Sequence, residues 1–390
     1  MTRGWSPVAS APVPRPLDAQ TSGLRPAVES ESVGLSNLTL GLTFDDVLLV
    51  PRRSDIRSRQ DVSVATRLSK RIGLDIPIVA ANMDTVCETE MAIEMARMGG
   101  IGIIHRFLTV EDQAAMVGAV KAEGLLVGAA VGTDRDALHR TGALVDAGVD
   151  AVVLDIAHGH AGHAIDLLVK LKNEFPEVDL IAGNVATRAG AEDLVEAGAD
   201  AVKVGVGPGG VCITRLVAGV GVPQLTAIDN CASRPLLDAD GEPVPIIADG
   251  GIRTAGDITK ALAVGASTVM VGSLLAGTKE SPGEVEQSAN GLVKRIRGMA
   301  SFEALTARAA REGELVDREY FEQRAAEGVE GVVPYRGSAD KVVGRLVAGL
   351  RSGMSYSDAR TIEELWAKAE FVRVTANGVR ESQPHATQAW

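Results

Sequence analysis

The chain is 390 residues long, 46% hydrophobic, and carries a formal charge of −12. That is enough apolar material for one large α/β domain or two ordinary ones, and too much for a disordered chain or a small module. The acidic balance and the 3% aromatic content argue against a nucleic-acid surface of basic patches and stacking rings, and no apolar run is long enough to cross a bilayer.

Residues 1–37 are rich in Pro, Ser, Ala and Thr and hold no sustained apolar segment. They are expected to form a flexible extension rather than a secretory signal, with an ordered arm starting near Leu38 and a single domain over 38–390. The three cysteines, Cys87, Cys212 and Cys231, are scattered and form neither a disulfide framework nor a metal spacing. A reducing cytoplasm is the expected setting.

From Ile76 onward, short apolar runs recur with helical patterns between them: Ile76–Ala81, Gly100–His105, Leu125–Val131, Ala151–Ile156, Asp179–Gly183, Ala201–Val206, Pro245–Ala248 and Thr268–Val271. The intervening segments Thr187–Gly198 and Thr254–Gly265 end in Gly-Ala before the next strand, as helices with glycine C-caps do. Eight such units predict an α/β fold closed into a (β/α)8 TIM barrel. A doubly wound open sheet is the competitor, but the Gly-x-Gly-x-x-Gly turn it usually carries after its first strand is missing.

In a barrel, ligand chemistry comes from the loops at the C-terminal strand ends. Those positions carry Asn82, Met83 and Asp84; His105; Asp155, His158 and His160; Asn184; Asp249, Gly250 and Gly251; and Gly272 and Ser273. The last two turns have the glycine-rich form that binds a phosphate through backbone amides. The most informative loop is Gly205-Val-Gly-Pro-Gly-Gly-Val-Cys-Ile-Thr-Arg215. Its glycines let backbone approach an anion or a planar ring, and Cys212 falls where the loop turns into a helix, a setting that favours a nucleophilic thiolate. Cys87 and Cys231 lack such a setting and read as small buried apolar residues.

After the eighth strand come Arg297-Gly-Met-Ala-Ser301, a highly charged stretch from Arg308 to Arg324, and Glu327-Gly-Val-Glu-Gly331. With many charges and few apolar anchors, this region, about 300–335, is expected to be a mobile lid.

These features resemble the catalytic barrel of the inosine monophosphate dehydrogenase and guanosine monophosphate reductase family. The resemblance rests on Leu42-Thr-Phe-Asp-Asp-Val-Leu-Leu-Val-Pro51, Asn82-Met-Asp-Thr-Val86, Gly205 to Arg215, Ile247-Ala-Asp-Gly-Gly-Ile-Arg253, Glu280-Ser-Pro-Gly-Glu284 and Glu370-Phe-Val-Arg373. It implies an oxidoreductase whose cysteine, here Cys212, attacks carbon 2 of a purine nucleotide while hydride moves between that carbon and a nicotinamide, NADPH or NAD. By the same resemblance Thr214 helps the group leaving or entering at carbon 2. Asp249 would hold the ribose, and Gly251, Gly272 and Ser273 the phosphate. Asn82, Met83, Gly210, Arg297, Gly298, Met299 and Glu327 complete the expected substrate site, with Asp155, His158, Asn184 and Gly205 beside the cofactor. The resemblance further implies a homotetramer and a monovalent cation, potassium, held by carbonyls of Gly207, Gly209 and Cys212 and by Glu381 and Ser382 of a neighbouring subunit. The regulatory CBS pair that family dehydrogenases commonly insert between the second and third strands has no room here, because His105 and Leu125 are one helix apart.

The family pattern breaks where the two activities diverge. A dehydrogenase must hydrolyse its thioimidate, and its lid carries an adjacent Arg-Tyr pair to activate water. Here the lid reads Arg318-Glu319-Tyr320, and a glutamate beside the arginine keeps it protonated, which is poor for a base. A reductase must expel ammonia and places a glutamate shortly after Gly-Met-Ser-Ser. Here Glu303 comes one position late. Gly210 and Ile296 stand where the family usually has a serine and a tyrosine on the phosphate, each missing hydroxyl weakening binding by about 1 kcal/mol. Ile213 replaces a threonine beside Cys212. Asp155-Ile-Ala-His-Gly-His160 and the retained Glu381-Ser382 lean the other way, toward the dehydrogenase. The reading is reductive deamination of GMP or a modified guanine-type nucleotide, with IMP dehydrogenase as the alternative. A catalytically inactive nucleotide-binding regulator is the further alternative, disfavoured by the retention of Cys212 and Thr214.

Overall fold

Eight short parallel strands close into a ring in chain order in the computed structural model, which describes residues 38–311 and 325–384. They are Ile78–Ala80, Ile101–Ile104, Gly128–Val131, Ala151–Asp155, Asp179–Val185, Ala201–Val204, Ile246–Asp249 and Thr268–Val271. Each overlaps one of the eight expected runs. The ring closes where Val269 stands opposite Ile78. Nearly every strand residue is buried, because the inner face packs into the barrel core and the outer face is roofed by helices. That is why these strands read as unbroken Val, Ile and Ala runs rather than alternating ones.

The helices start and stop where their residues dictate. In Ala255–Ala263, Thr254 and Asp257 form a reciprocal capping box, satisfying two orphan amide donors. Ile258, Ala261 and Leu262 are buried, the spacing of one helix face. Gly265 then takes φ +119°, a conformation that ends a helix at little cost only for glycine. Gly198 does the same after Arg188–Glu196, at φ +100°. One helix, Val110–Ala122, separates the second and third strands, so no inserted domain interrupts the barrel.

The long helix Ala339–Tyr356 lies against Ala255–Ala263 and at two points offers a glycine to a side chain of that helix. A Cβ at Gly349 would stand 2.3 Å from Ala255 Cβ, and one at Gly353 would stand 2.6 Å from Thr259 Cγ2. Outside the barrel, Val47–Leu49 pairs antiparallel with Phe371–Arg373.

The region after the eighth strand is more structured at both ends than a lid of about 300–335 implies. Glu286–Ser288, Gly291–Arg297 and Glu330–Pro334 form a three-stranded sheet, and Phe302–Arg311 is a helix that buries Ala304 and Ala309. Arg318, Glu319 and Tyr320 lie outside the described residues, as does the expected N-terminal extension over 1–37. A compact unit begins at Gly41. No helix among the described residues is long and apolar enough to cross a membrane.

Candidate active site

A cavity of about 330 Å³ opens at the C-terminal end of the barrel. Thirteen of the expected site residues line it: Asn82, Met83, Asp155, Asn184, Gly205, Gly207, Gly209, Cys212, Thr214, Asp249, Gly298, Met299 and Glu327. They come from different strand ends and from the crossing sheet, so only the closed barrel brings them together.

Cys212 is half-buried on the wall, with its Sγ 3.2 Å from Thr214 Oγ1. The loop that carries it is held from both sides. Cys212 N–H donates to Gly209 O at 3.1 Å, Ile213 N–H to Glu327 O at 2.8 Å, and Val329 N–H to Val211 O at 3.0 Å. The loop can begin only at a glycine: Gly205 has φ +152°, and a Cβ there would lie 2.0 Å from Asp249 O. The other two cysteines are fully buried. Burial pushes both thiols up, Cys231 to about 12, which leaves Cys212 as the accessible sulfur.

The floor is a polar cluster around a residue that sequence reasoning missed. Lys203, in the middle of the sixth strand, is 1% exposed and reaches Asp155 Oδ1 at 2.8 Å, Asp249 Oδ2 at 2.7 Å and the Asn184 side-chain oxygen. Asn184 Nδ2 in turn donates to Asp249 Oδ2 at 2.9 Å and to Gly205 O at 2.7 Å. Burial opposes ionisation of both Lys203 and Asp155, yet their attraction prevails. Lys203 is held above the usual lysine range by Asp155 and Asp249, and Asp155 below the usual carboxylate range by Lys203, with Arg106 and Asn82 adding to it. A signal was present: a lysine inside the apolar run Ala201–Val204 must be paired if buried, and carboxylates end the adjacent seventh strand, Asp249, and the fourth strand, Asp155, two places away.

A second wall, also missed, is built from Arg106, Phe107 and Leu305. Two guanidiniums lie over the Phe107 ring, Arg106 at 5.2 Å and Arg308 at 5.5 Å from its centre. Both arginines also donate to Asp134 Oδ2, at 3.2 Å and 2.9 Å, and Arg311 donates to Phe107 O at 2.6 Å. The start of the region beyond the eighth strand is thereby docked onto the loop after the second strand.

Gly250 also lines the cavity, and the other expected residues that the structure describes fall outside its lining. Gly210, Gly251, Gly272 and Ser273 form its rim. A Cβ at Gly210 would stand 3.2 Å from Ser273 Oγ, one at Gly272 3.1 Å from Met83 Sδ, and one at Gly251 3.6 Å from Pro208 Cβ. His158 is exposed, stacked edge-on to His160. Glu303 is exposed on the first turn of Phe302–Arg311, with its carbonyl accepting from Arg297. Arg297 was expected on the nucleotide, but its guanidinium is committed to Asp84, through Nε at 2.9 Å and Nη2 at 2.6 Å. Glu381 and Ser382 end a helix packed beside Phe44–Asp46, where Ser382 Oγ turns back on Gly378 O at 3.0 Å. Among the described residues there is no cluster of three His, Cys, Asp or Glu side chains able to hold a metal ion.

Fold and site thus define a (β/α)8 enzyme with an accessible cysteine on the wall of a ligand cavity and a buried lysine–carboxylate floor. Residues 41–385 match the IMP dehydrogenase / GMP reductase domain, and the chain belongs to this family of oxidoreductases. Its relatives carry both names. It is 44% identical over 401 residues to the inosine-5'-monophosphate dehydrogenase of Cryptosporidium parvum, covering 90% of this chain and 97% of that one. It is 39% identical over 486 residues to the GMP reductase of Leishmania donovani, covering 90% and 98%. The crystal structure of a cysteine-to-alanine variant of GMP reductase from Trypanosoma brucei, in complex with guanosine 5'-monophosphate, superimposes with a TM-score of 0.84 at 37% identity, over 90% of this chain and 99% of that one.

Proposed function

We propose that this protein carries out reductive deamination of GMP, or of a modified guanine-type nucleotide, through a covalent bond from Cys212 to carbon 2 of the purine. The observation that carries the covalent step is the Cys212 Sγ to Thr214 Oγ1 distance of 3.2 Å on the cavity wall. Attack by sulfur forms the carbon–sulfur bond, and the carbon–nitrogen bond then breaks with ammonia leaving. Thr214 relays the proton that the nitrogen needs. Addition of hydride at the same carbon breaks the carbon–sulfur bond and returns the electron pair to sulfur.

A nicotinamide would supply that hydride when bound, as NADPH; in the dehydrogenase reading NAD would instead accept a hydride from the same carbon. The residues present fit it: Phe107 and Ala157 offer flat apolar wall, Arg106 offers positive charge toward an anionic linker, and Asp155 stands at the foot. Asp249 would accept from ribose hydroxyls, and Gly251, Gly272 and Ser273 would take the phosphate. The Gly207, Gly209 and Cys212 carbonyls would hold potassium together with Glu381 and Ser382 of a second copy, in a homotetramer.

Direction rests on the sequence Arg318-Glu319-Tyr320, in which a glutamate interrupts the adjacent Arg-Tyr pair of the family's dehydrogenases. IMP dehydrogenase is the second reading, favoured by the 44% identity to an enzyme of that name. Absorbance of the reduced nicotinamide separates them. With GMP plus NADPH, consumption of NADPH with release of ammonia is expected, abolished in Cys212→Ala. Formation of NADH from IMP plus NAD would instead establish the dehydrogenase.

A further inference from the structure

We propose that the ion pair between Asp84 and Arg297 is a positioning device for the Cys212 loop, acting through backbone rather than by touching the nucleotide; this rests on the reading of Cys212 as nucleophile. Asp84 lies just beyond the first barrel strand, next to the cavity residues Asn82 and Met83, and its side chain is 2% exposed. One oxygen, Oδ2, takes both the Nε and the Nη2 hydrogens of Arg297. The other, Oδ1, is buried with no partner among the described residues, so Arg297 carries the compensation of this charge. The arginine's own N–H donates to Thr85 Oγ1 at 3.3 Å, and its third arm reaches Glu303 O at 3.3 Å. Arg297 is the last residue of the strand Gly291–Arg297, and the pair pins that strand to the barrel.

From this pin to the thiol the route is backbone throughout. Gly298 N–H donates to Val329 O at 3.1 Å, Glu327 N–H to Ala300 O at 3.1 Å, and residues 327–329 pair with the cysteine loop, Gly328 standing opposite Cys212. No side chain cushions the stack: a Cβ at Gly298 would lie 2.8 Å from Val211 O and 3.1 Å from Gly328 Cα. Close-packed backbone transmits displacement instead of absorbing it, so a shift at residue 297 arrives at residue 212. A misplacement of about 1 Å at a reacting atom costs on the order of 100-fold in rate.

The test uses the full chain with Arg297→Met, Arg297→Lys and Asp84→Asn, and reads kcat, KM for the nucleotide, melting temperature, and the rate of Cys212 alkylation by iodoacetamide measured by mass spectrometry. Arg297→Met and Asp84→Asn are expected to lower kcat on the order of 100-fold with KM changed by less than about threefold. Cys212 alkylation is expected to accelerate about tenfold as the loop loosens, at temperatures well below unfolding. Arg297→Lys, which keeps the charge, is expected to recover part of both effects, and it keeps the test decisive if the methionine variant does not fold. Unchanged kcat and alkylation in folded variants would overturn the proposal, as would a raised KM with intact kcat, which would make Arg297 a nucleotide ligand. Failure of the nucleophile reading shows separately, as activity retained in Cys212→Ala, whereas alkylation reports loop geometry whatever the chemistry.

Discussion

The ammonium of Lys203, on the sixth barrel strand, stands 2.7 Å from Asp249 Oδ2 on the seventh. Two carboxylates, Asp155 and Asp249, share this one buried cation. Their geometry at the cavity floor therefore depends on a residue that need not touch the substrate.

Replacing Lys203 by Met removes the cation that both carboxylates share. Removing one partner of a buried ion cluster costs roughly 3–5 kcal/mol, and a clear fall in melting temperature is expected with loss of nucleotide binding. The pH dependence has a definite sign. Asp155 is held below its ordinary 3.8, so its contribution is present above that value and is lost as pH falls through the lower, folded one. Lys203 is held above its ordinary 10.5, so its contribution persists until pH rises through the higher, folded value. The gap in melting temperature between wild type and Lys203→Met should shrink as pH falls, starting above Asp155's ordinary range, because burial without the lysine raises the variant's carboxylates and lets them protonate first. A gap that widened in acid would contradict this.

Cysteine chemistry should single out one thiol. Cys87 and Cys231 are fully buried, with their ionisation suppressed by burial, and Cys212 is half-exposed. Brief treatment of the native protein with iodoacetamide should add one group, at Cys212, and treatment in denaturant should add three. Modification at Cys87 under native conditions would mean the barrel wall is open there.

Thr214 tests the proton relay. Thr214→Val preserves shape and removes the hydroxyl 3.2 Å from Cys212 Sγ, so kcat should fall roughly 100-fold or more, with KM for the nucleotide little changed. Thr214→Ser should retain most of the rate. Equal losses in both variants would point to packing of the methyl group instead.

Phe107 and Asp134 should govern how firmly the helix Phe302–Arg311 is docked. Asp134 is substantially exposed, and exposed pairs contribute at most about 1 kcal/mol, so Asp134→Ala should speed amide exchange in that helix by no more than about fivefold. Phe107→Ala removes the ring faced by both Arg106 and Arg308 and should speed it further, each cation–ring contact being worth about 0.5–1 kcal/mol. Exchange is read by mass spectrometry on peptides from 302–311.

The barrel was legible because each strand is a short apolar run bounded by a glycine or polar residue, a pattern that survives tertiary packing unchanged. Cys212 stood out because loop glycines and a neighbouring helix start are local features, whereas Thr214 entered only through the family resemblance. Lys203 was not, since a strand pattern says which residues are buried but not which charge a buried lysine meets across two strands. Arg297 shows the same limit from the other side. Its motif placed it next to Gly298 and Met299, which do line the cavity, yet the direction of its side chain is set by Asp84, 213 residues away. The wall of Arg106 and Phe107 was hidden because its partners come from far along the chain, Asp134 from the loop after the third strand and Arg308 from the helix Phe302–Arg311.

The ladder between Val47–Leu49 and Phe371–Arg373 is continued by Val50 N–H to Glu370 O at 2.8 Å and Val374 N–H to Asp46 O at 2.9 Å. It ties the opening stretch of the barrel unit to its closing stretch, with Phe44 and Val47 buried beside it. A domain laced end to end in this way has no loose thread from which to unravel. Trimming either flank strips the other of its hydrogen-bond partners, so anyone shortening, fusing or permuting this domain must keep both flanks or give up both.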